Sequence, residues 1–195
     1  LLWTYLYKIL KKTGPHKYSY RFVCCPENIG AAAFLAQNRK ILKNIEAGYI
    51  INCVGNGEIV TYKKSRDGNT LADEAALNVI ESLNFKKKIV DFFPDGSDER
   101  QFCSPGFNLP IGLVMRKMFS DFKEYHNSLD DPNFINFKTI LESLNIYLQI
   151  ILTLENNFYP IGRVQFGTPQ LSRIKNFNLY PKMMNFQAKK RSDKN

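Results

Sequence analysis

The sequence predicts an α/β protein with a single substantial core, built as a three-layer sandwich around a mostly parallel sheet. Strand-like apolar segments alternate with helix-like segments along the chain, which is the pattern of helices packed on a parallel sheet. The length of 195 residues and the 44% hydrophobic content provide enough apolar surface for one such core. Fifteen phenylalanines and ten tyrosines add core-forming area, so the composition also argues against global disorder.

The individual elements follow from hydrophobic periodicity and from the residues that end each segment. Apolar side chains recur at helical spacing over residues 1–12, and Thr13-Gly14-Pro15 ends this predicted helix. The segment YSYRFVCC, residues 18–25, is dense in aromatic and β-branched residues and predicts a buried strand. The alanine-rich segment 29–38 predicts a second helix. The same criteria predict strands over 47–55, 58–64, 87–93 and 109–116 and helices over 69–83 and 135–156.

A turn signal joins two of the predicted strands. Gly55-Asn56-Gly57 lies between the strand over 47–55 and the strand over 58–64. Consecutive turn-forming residues between two apolar segments favour a hairpin, so these two strands are predicted to pair with each other.

The net charge of +9 raises the question of a nucleic-acid partner, because clustered lysine and arginine release counterions from phosphates. The basic residues occur as short runs at predicted ends of elements, and the densest run, Lys189-Lys190-Arg191, lies in a polar tail. Runs of this kind usually face water, so we expect no nucleic-acid partner.

The cysteines and the apolar segments bear on the compartment. The adjacent Cys24 and Cys25 lie in an apolar run without a C-x-x-C pair, which indicates buried thiols and a reducing environment. No stretch reaches the ~20 apolar residues that span a bilayer, and the first residues lack the pattern of a signal peptide. We therefore expect a cytoplasmic protein without a membrane partner.

The two ends of the chain set the expected domain boundaries. The chain starts at Leu1 rather than methionine, inside the first predicted helix, so we expect a fragment of a longer protein. Beyond about residue 157 the apolar pattern gives way to proline, asparagine and lysine. We predict one partial α/β domain over residues 1–156 and a partly ordered C-terminal extension over 157–195.

Candidate functional residues lie where strands end, because ligands of open α/β sheets gather beyond the carboxyl ends of the strands. Four predicted places satisfy this rule: Pro26-Glu27-Asn28, Cys53 to Asn56, the loop from Asp95 to Arg100, and His126. Their carboxylates, thiol and imidazole are donors suited to a divalent metal. The sequence contains neither the G-x-S-x-G elbow of serine hydrolases nor a glycine-rich phosphate loop, which argues against these two classes of enzyme.

Each of these residues also has a structural explanation that the sequence leaves open. Glu27 could cap the helix that follows it, and Cys53 could be a packed core thiol. Asp98 and Arg100 could form a surface ion pair, and His126 could be solvated in a polar loop.

Six segments in a fixed order carry a resemblance to a known family. They are YSYRFVCCPENIGAAAFLAQN, AGYIINCVGN, SRDGNTLADEAAL, GSDERQFCSPGFNLPIGLVMR, EYHNSLDD and GTPQL…LYP. Together they span about residues 15–182, and their joint order resembles the zinc aminopeptidase-like family. Within that family the chain is most similar to bacterial proteins associated with polysaccharide biosynthesis.

The resemblance implies a phosphorylase/hydrolase-like zinc peptidase fold, truncated at its N-terminus, and it assigns roles to residues. Glu27 stands where active relatives have a general base, and Asn28 stands where they have a carboxylate ligand. Cys53 matches the position of a ligand aspartate, and His126 matches a histidine ligand of the metal. Asp130 would then fix the tautomer of His126. The residues expected to support the site or to contact the substrate are Asp98, Arg100 and Gln101.

Carried over to this chain, the resemblance implies a zinc-dependent hydrolase, with one or two zinc ions, that cleaves a peptide or amide bond in a peptide-like substrate. The family's remaining ligands, a histidine and a bridging aspartate, precede the first helix, so we expect this fragment to be inactive by itself. The alternative is a non-catalytic module that binds a peptide or a sugar in the same crevice. A regulatory protein that uses the basic tail is a third hypothesis, and a homo-oligomer is compatible with all three.

Overall fold

The computed structural model of the protein describes residues 1–119, 121–162 and 166–167, and these ranges contain six helices and four strands. All of the elements belong to one compact unit, Leu1–Asn157. The predicted extension over 157–195 lies almost entirely outside the described residues. In chain order the elements are α1 (Leu2–Thr13), α2 (Ile29–Gln37), α3 (Arg39–Leu42), β1 (Gly48–Ile51), β2 (Ile59–Lys63), α4 (Leu71–Ser82), β3 (Lys86–Val90), α5 (Glu99–Phe102), β4 (Ile111–Met115) and α6 (Phe137–Glu155).

The four strands form one mixed sheet in the order β1-β4-β2-β3, which confirms the α/β class. β1 runs parallel to β4, with Gly48 opposite Ile111, and β2 runs parallel to β3. β2 and β4 are antiparallel, so two of the three pairings are parallel. All five residues of β4 are buried, which explains why this strand occupies an inner position of the sheet.

The predicted hairpin between the second and third strands is wrong. β4 lies between β1 and β2, so the segment that contains Gly55-Asn56-Gly57 connects two strands that are not neighbours. Gly57 has a φ of 104°, which is the backbone conformation expected of a turn glycine. Gly57 thus has the geometry of a turn, but both strands pair with β4, which lies about 50–60 residues further along the chain.

The strand predicted over 18–25 is also absent. Within the described residues, no backbone hydrogen bond joins Ser19 through Cys25 to another backbone group. Side chains hold the segment instead: the Phe22 ring packs edge-on against Trp3 at a centroid distance of 5.0 Å. Tyr20 donates a hydrogen bond to Glu155 at the end of α6. The segment has the composition of a strand, but a strand also requires a neighbouring strand.

Alternate residues of β4 contribute to two separate apolar clusters, because successive side chains of a strand point to opposite faces. Val114 belongs to a cluster that includes α1, α4 and α6, and Ile111 belongs to a cluster that includes α2, α3 and α5. Tyr147 of α6 lies in the first cluster and donates hydrogen bonds to the carbonyls of Val114 (2.7 Å) and Ile50 (3.1 Å).

Polar side chains cap two of the helices, α4 and α6, at their N-termini. Thr70 caps α4 by accepting a hydrogen bond from the Asp73 amide, and the Asp73 carboxylate accepts one from the Thr70 amide in return. Burial raises the pKa of Asp73, but hydrogen bonds from Ser65 and Thr70 outweigh it and leave the pKa below its ordinary value. Asn136 caps α6. Thr70 and Asp73 therefore satisfy two of the amides at the start of α4.

The expectation that no stretch is long and apolar enough to span a bilayer is wrong for α6, which passes by length and composition and is the one such helix among the described residues. Its apolar character has a second explanation, because it buries side chains in the core that include Leu144, Ile146, Tyr147 and Ile150. The core helix of a soluble protein passes the same test of length and composition.

A buried ion pair joins β2 to α5. The Lys63 Nζ lies 2.9 Å from the Glu99 Oε1, and both side chains are completely buried. Lys63 also donates a hydrogen bond to the carbonyl of Asp95, and its Nζ lies 4.1 Å from the centroid of the Phe93 ring. The lysine therefore fixes the loop between β3 and α5 to the sheet.

Replacing Lys63 with methionine keeps the aliphatic volume but removes the cation, so the Glu99 carboxylate stays buried without its partner. We expect Lys63→Met to lower the free energy of unfolding by about 3–5 kcal/mol, the usual cost of breaking a buried pair from one side. Urea denaturation followed by circular dichroism measures the change.

Lys64→Met is the matched control. The partner of Lys64 is Asp91, whose side chain is 88% exposed, and a pair of this kind contributes only about 0–1 kcal/mol. Equal losses of stability from the two substitutions would contradict the role assigned to the buried pair.

Candidate active site

A cavity of about 400 Å³ lies beyond the carboxyl ends of β1 and β4. The two strands are parallel, so their carboxyl ends lie at the same end of the sheet. Cys53 follows β1 there, and Lys117 follows β4. Open α/β sheets bind ligands beyond the carboxyl ends of their strands. The polar residues that line the cavity include Glu27, Asn52, Cys53, Asn56, His126 and Asp130.

Glu27 reaches the cavity from the turn that precedes α2. The N-cap of α2 is Asn28, without a side-chain cap, so the structure does not support the alternative in which Glu27 caps this helix. Gly30 allows the turn to close tightly: a Cβ there would lie 2.6 Å from the Cβ of Cys25 and 2.9 Å from the Cδ of Pro26. The exposed Glu27 carboxylate is therefore carried by a fixed backbone.

Three predicted site residues contact Asn28 and do not line the cavity. The Asn28 amide donates to the Asp98 carboxylate at 2.6 Å, and the Asn28 Oδ1 accepts from Arg100 Nε at 3.0 Å. Gln101 donates to the same oxygen at 3.3 Å. Burial raises the pKa of Asp98, although the hydrogen bond from Asn28 opposes the shift. These contacts hold the turn that carries Glu27, and no ion pair joins Asp98 to Arg100 in the described structure.

Cys53 lies at the rim of the sheet in a strained conformation, with a φ of 46°. Its amide donates to the Asn52 Oδ1 at 2.8 Å, and its thiol lies 3.3 Å from the same oxygen. Burial, together with the negative charges of Asp130 and Glu27, raises the pKa of the Cys53 thiol to about 11. The thiol is therefore protonated at neutral pH in the metal-free chain.

His126 also has a left-handed backbone, with a φ of 56°, and its ring stacks on Tyr125 at a centroid distance of 3.9 Å. The expected contact with Asp130 is wrong for this structure: no hydrogen bond joins the two side chains among the described contacts. The Asp130 amide instead bonds the Asn127 carbonyl in a local turn. The negative charge of Asp130 contributes, after burial, to the raised pKa of the Cys53 thiol.

Strained backbone is concentrated around this cavity. Four non-glycine residues of the described chain have positive φ, and Asn28, Cys53 and His126 are three of them. Such conformations cost about 1–3 kcal/mol each and persist where the surrounding structure enforces them, which is common at functional sites. Asn28, Cys53 and His126 are also the three positions at which the resemblance to the peptidase family expects metal ligands.

Sequence reasoning missed three residues of the cavity. Asn52 orients Cys53, and its position directly after a predicted strand was an available signal. Burial and the charge of Glu27 raise the pKa of Tyr125, which stacks on His126. Lys117 is the one lysine or arginine among the described lining residues, and its side chain packs over Gly57, where a Cβ would lie 2.8 Å from the lysine Cγ.

The described residues do not form a complete zinc site. No group of three histidine, cysteine or acidic side chains lies close enough in the described chain to hold a metal ion. Cys53 and His126 line one cavity and could supply two donors, whereas zinc sites in proteins use three or four. The Asn28 amide oxygen, at the position expected for a carboxylate, is already bonded to Arg100 and Gln101.

Comparison with known proteins gives a family and close relatives. The model of a family described as Domain of unknown function (DUF4910) matches residues 1–157. A Clostridium acetobutylicum protein, provisionally named polysaccharide biosynthesis protein with aminopeptidase-like domain, is 42% identical over 170 residues. The match covers 87% of this chain and 39% of that protein. The predicted resemblance to aminopeptidase-like proteins is thereby confirmed.

Two solved structures are also similar to this chain. A crystal structure from Clostridium acetobutylicum, provisionally described as a peptidase, matches with a TM-score of 0.82 and 39% identity over 87% of this chain and 40% of that chain. BSAP, a zinc aminopeptidase from Bacillus subtilis, matches in fold with a TM-score of 0.64 at 15% identity, over 78% of this chain and 39% of that chain. This chain thus spans about two fifths of the length of these relatives.

The electrostatics of Cys53 can be tested directly. Asp130→Asn removes one of the two negative charges that raise the thiol pKa, so we expect that pKa to fall below about 11. The thiolate fraction at mildly alkaline pH then rises, and Cys53 reacts faster with iodoacetamide. Mass spectrometry of the Cys53 peptide over a pH series measures this rate. Asp131→Asn is the matched control, and an equal acceleration in both variants would contradict the assignment.

Proposed function

This chain belongs to the family described as Domain of unknown function (DUF4910), and on that premise we propose that it supplies part of a zinc-dependent aminopeptidase-like hydrolase. The bond cleaved is a peptide or amide bond in a peptide-like substrate. The observation that carries the proposal is the convergence of Glu27, Cys53 and His126 on one cavity at the carboxyl edge of the sheet. The aminopeptidase-like domain named for a relative at 42% identity supports it.

The proposal includes the finer fold of the zinc peptidases, a three-layer sandwich. Two apolar clusters that share β4 support this arrangement, as does the similarity in fold to the Bacillus subtilis enzyme. The cavity at the end of β1 and β4 then corresponds to the peptidase crevice.

Glu27 has the role of general base. Its exposed carboxylate lines the cavity and can take a proton from an attacking water and return it to the leaving amine. Asp98, Arg100 and Gln101 hold the adjacent Asn28, and through this turn they orient Glu27 towards a bound substrate. Cys53 and His126 are the two donors that this part of the chain offers to zinc.

The remaining zinc donors come, in this proposal, from polypeptide that the longer relatives have and this chain does not match. Leu1 and Leu2 line the cavity, so the start of α1 already lies at the site. We therefore propose that the 195-residue chain alone binds zinc weakly and does not hydrolyse amides. A cytoplasmic location fits the four cysteines, all of which are free, although Cys24 is exposed rather than buried as the sequence suggested.

Zinc content and hydrolysis test this proposal. The 195-residue chain is compared with a form extended by the coding sequence that adjoins it upstream. We expect less than about a tenth of an equivalent of zinc in the chain alone, and about one equivalent or more, with hydrolysis of leucine p-nitroanilide, in the longer form. A longer form without zinc and without hydrolysis would contradict the proposal.

His126→Ala in the longer form is expected to reduce zinc content and to lower the rate at least about a hundredfold, because a donor is lost. The matched control is His16→Ala, since the His16 ring bonds the Leu10 carbonyl and does not line the cavity. Equal effects of the two substitutions would exclude His126 as a specific ligand.

Glu27→Gln distinguishes the loss of the general base from the loss of the metal. It removes the proton acceptor but preserves size, so we expect kcat to fall about 10²–10⁴-fold while the zinc content stays unchanged. Measurement of kcat and zinc in the same preparation checks both statements, and a variant with full activity would rule out Glu27 as the base.

A non-catalytic module is the second candidate. The observation that favours it is the amide of Asn28, at a position where active relatives have a carboxylate, bonded to Arg100. Such a module would bind a peptide or sugar derivative in the same cavity with an affinity that a chelator does not change. The third hypothesis, a regulatory protein that uses the basic tail, depends on Lys189-Lys190-Arg191. These residues lie outside the described part of the chain.

A further inference from the structure

The candidate cavity contains a lysine to which the proposed hydrolysis assigns no role. Lys117 lies two residues beyond the end of β4, is half-buried, and is the one lysine or arginine among the described lining residues. Within the described part of the chain, no carboxylate lies within ion-pair distance of its ammonium group. A cation placed in a cavity in this way can bind an anionic group of a ligand.

Gly57 fixes the direction of the Lys117 side chain. A Cβ on Gly57 would lie 2.8 Å from the Cγ of Lys117, 3.3 Å from its Cε and 3.4 Å from its Cδ. The aliphatic part of the lysine therefore lies directly on the glycine. The Gly57 carbonyl accepts a hydrogen bond from the Arg116 Nε at 3.1 Å, so this glycine is itself held at the end of β4.

An aromatic ring lies near the charged end of the lysine. The Lys117 Nζ is 5.9 Å from the centroid of the Phe122 ring, within the range at which the face of a ring attracts a cation. The Phe122 ring stacks on Phe134 at a centroid distance of 5.6 Å, and both rings line the cavity. Because the contact with the ring is electrostatic, the three N–H donors of the ammonium remain available to a ligand.

Both signs of charge line the cavity. Glu27 and Asp130 are the acidic residues among the described lining residues, and their charges contribute, after burial, to the raised pKa of Cys53. Lys117 supplies the positive charge. Carboxylates attract an ammonium group and a lysine attracts a carboxylate, so a ligand that carries both groups matches this cavity better than a ligand that carries one.

The size of the cavity favours a short ligand. Its volume of about 400 Å³ is near the lower end of the range for small-molecule sites, about 300–1,000 Å³. Apolar side chains, which include Val54, Ile135 and Ile140, also line it and can contact an apolar side chain of the ligand. A dipeptide with free ends and one apolar side chain combines an ammonium group, a carboxylate and apolar surface in one small molecule.

We propose that Lys117 binds the C-terminal carboxylate of a dipeptide, and that dipeptides with a free C-terminus are the substrate class of this site. This assignment rests on the proposed function, because it names the substrate of the same cavity. Lys117 is then a specificity residue: its ammonium donates hydrogen bonds to the carboxylate and transfers no proton in the reaction. A longer peptide would place an uncharged amide beside the lysine, and hydrogen bonds between charged groups are the stronger ones.

The test compares leucylglycine with leucylglycinamide, which differ in the charge of the C-terminus. In the form extended upstream, we expect kcat/KM for leucylglycine to exceed that for the amide at least about tenfold, as one hydrogen bond between charged groups provides. Lys117→Met keeps the aliphatic part but loses the ammonium, so kcat/KM for leucylglycine should fall at least about tenfold. The value for the amide should change less than about twofold, and Lys117→Arg, which keeps the charge, should restore most of the preference.

Lys123→Met is the matched control, because Lys123 is exposed in the following segment and does not line the cavity. Circular dichroism and the Tm confirm that the variants fold. Equal effects of Lys117→Met and Lys123→Met would overturn the proposal. Glutamylglycinamide carries its carboxylate in a side chain, and a dependence on Lys117 for this compound alone would overturn the assignment to the C-terminal carboxylate.

A binding measurement separates this proposal from the proposed hydrolysis. Isothermal titration calorimetry of the longer form in the presence of a chelator requires neither zinc nor catalysis. We expect the Kd of leucylglycine to be at least about tenfold lower than that of the amide, and Lys117→Met to abolish the difference.

The two measurements together decide the outcome. A preference for leucylglycine that depends on Lys117, in a protein without hydrolytic activity, would support the role of Lys117 and contradict only the hydrolysis. Hydrolysis of leucine p-nitroanilide without a preference for leucylglycine in either measurement would overturn the role of Lys117 and leave the proposed hydrolysis intact. The absence of such a preference in a protein that is also inactive would overturn both.

Discussion

A buried ion pair connects the sheet to the candidate site. Lys63 on β2 and Glu99 on α5 are fully buried at a distance of 2.9 Å, and charges taken out of water in this way persist only when the geometry matches. The pair fixes the start of α5, and the preceding residue, Asp98, accepts the amide hydrogen bond of Asn28. Glu27 stands directly before Asn28, so the position of the candidate base depends on a charge pair inside the core.

The inner position of β4 provides the second half of the site. It aligns the carboxyl ends of β1 and β4, and the Arg116 amide continues their pairing by donating to the Cys53 carbonyl at 2.9 Å. The Arg116 guanidinium, nearly buried, bonds the Gly57 carbonyl and pairs with Glu142 of α6 at 2.6 Å. The loop that bears Cys53 is thereby attached to two neighbouring elements, which explains how it maintains a positive φ.

The candidate site is incomplete within the described residues. Cys53 and His126 line one cavity, but no group of three histidine, cysteine or acidic side chains in the described chain could hold a metal ion. The proposal of a zinc hydrolase therefore requires donors that the described residues do not supply.

The sequence by itself determined the four longer helices, α1, α2, α4 and α6, and the residues that follow the strands. Local sequence was sufficient for these helices because helix hydrogen bonds join residues four positions apart. The short helices α3 and α5 were not predicted. Family resemblance located Glu27, Cys53 and His126. Only the tertiary structure decided the order of the strands and the contacts of the site, because a strand's partner is distant in sequence. The 18–25 segment illustrates this best: its composition specifies a strand, and the absence of a neighbour among the described residues leaves it unpaired.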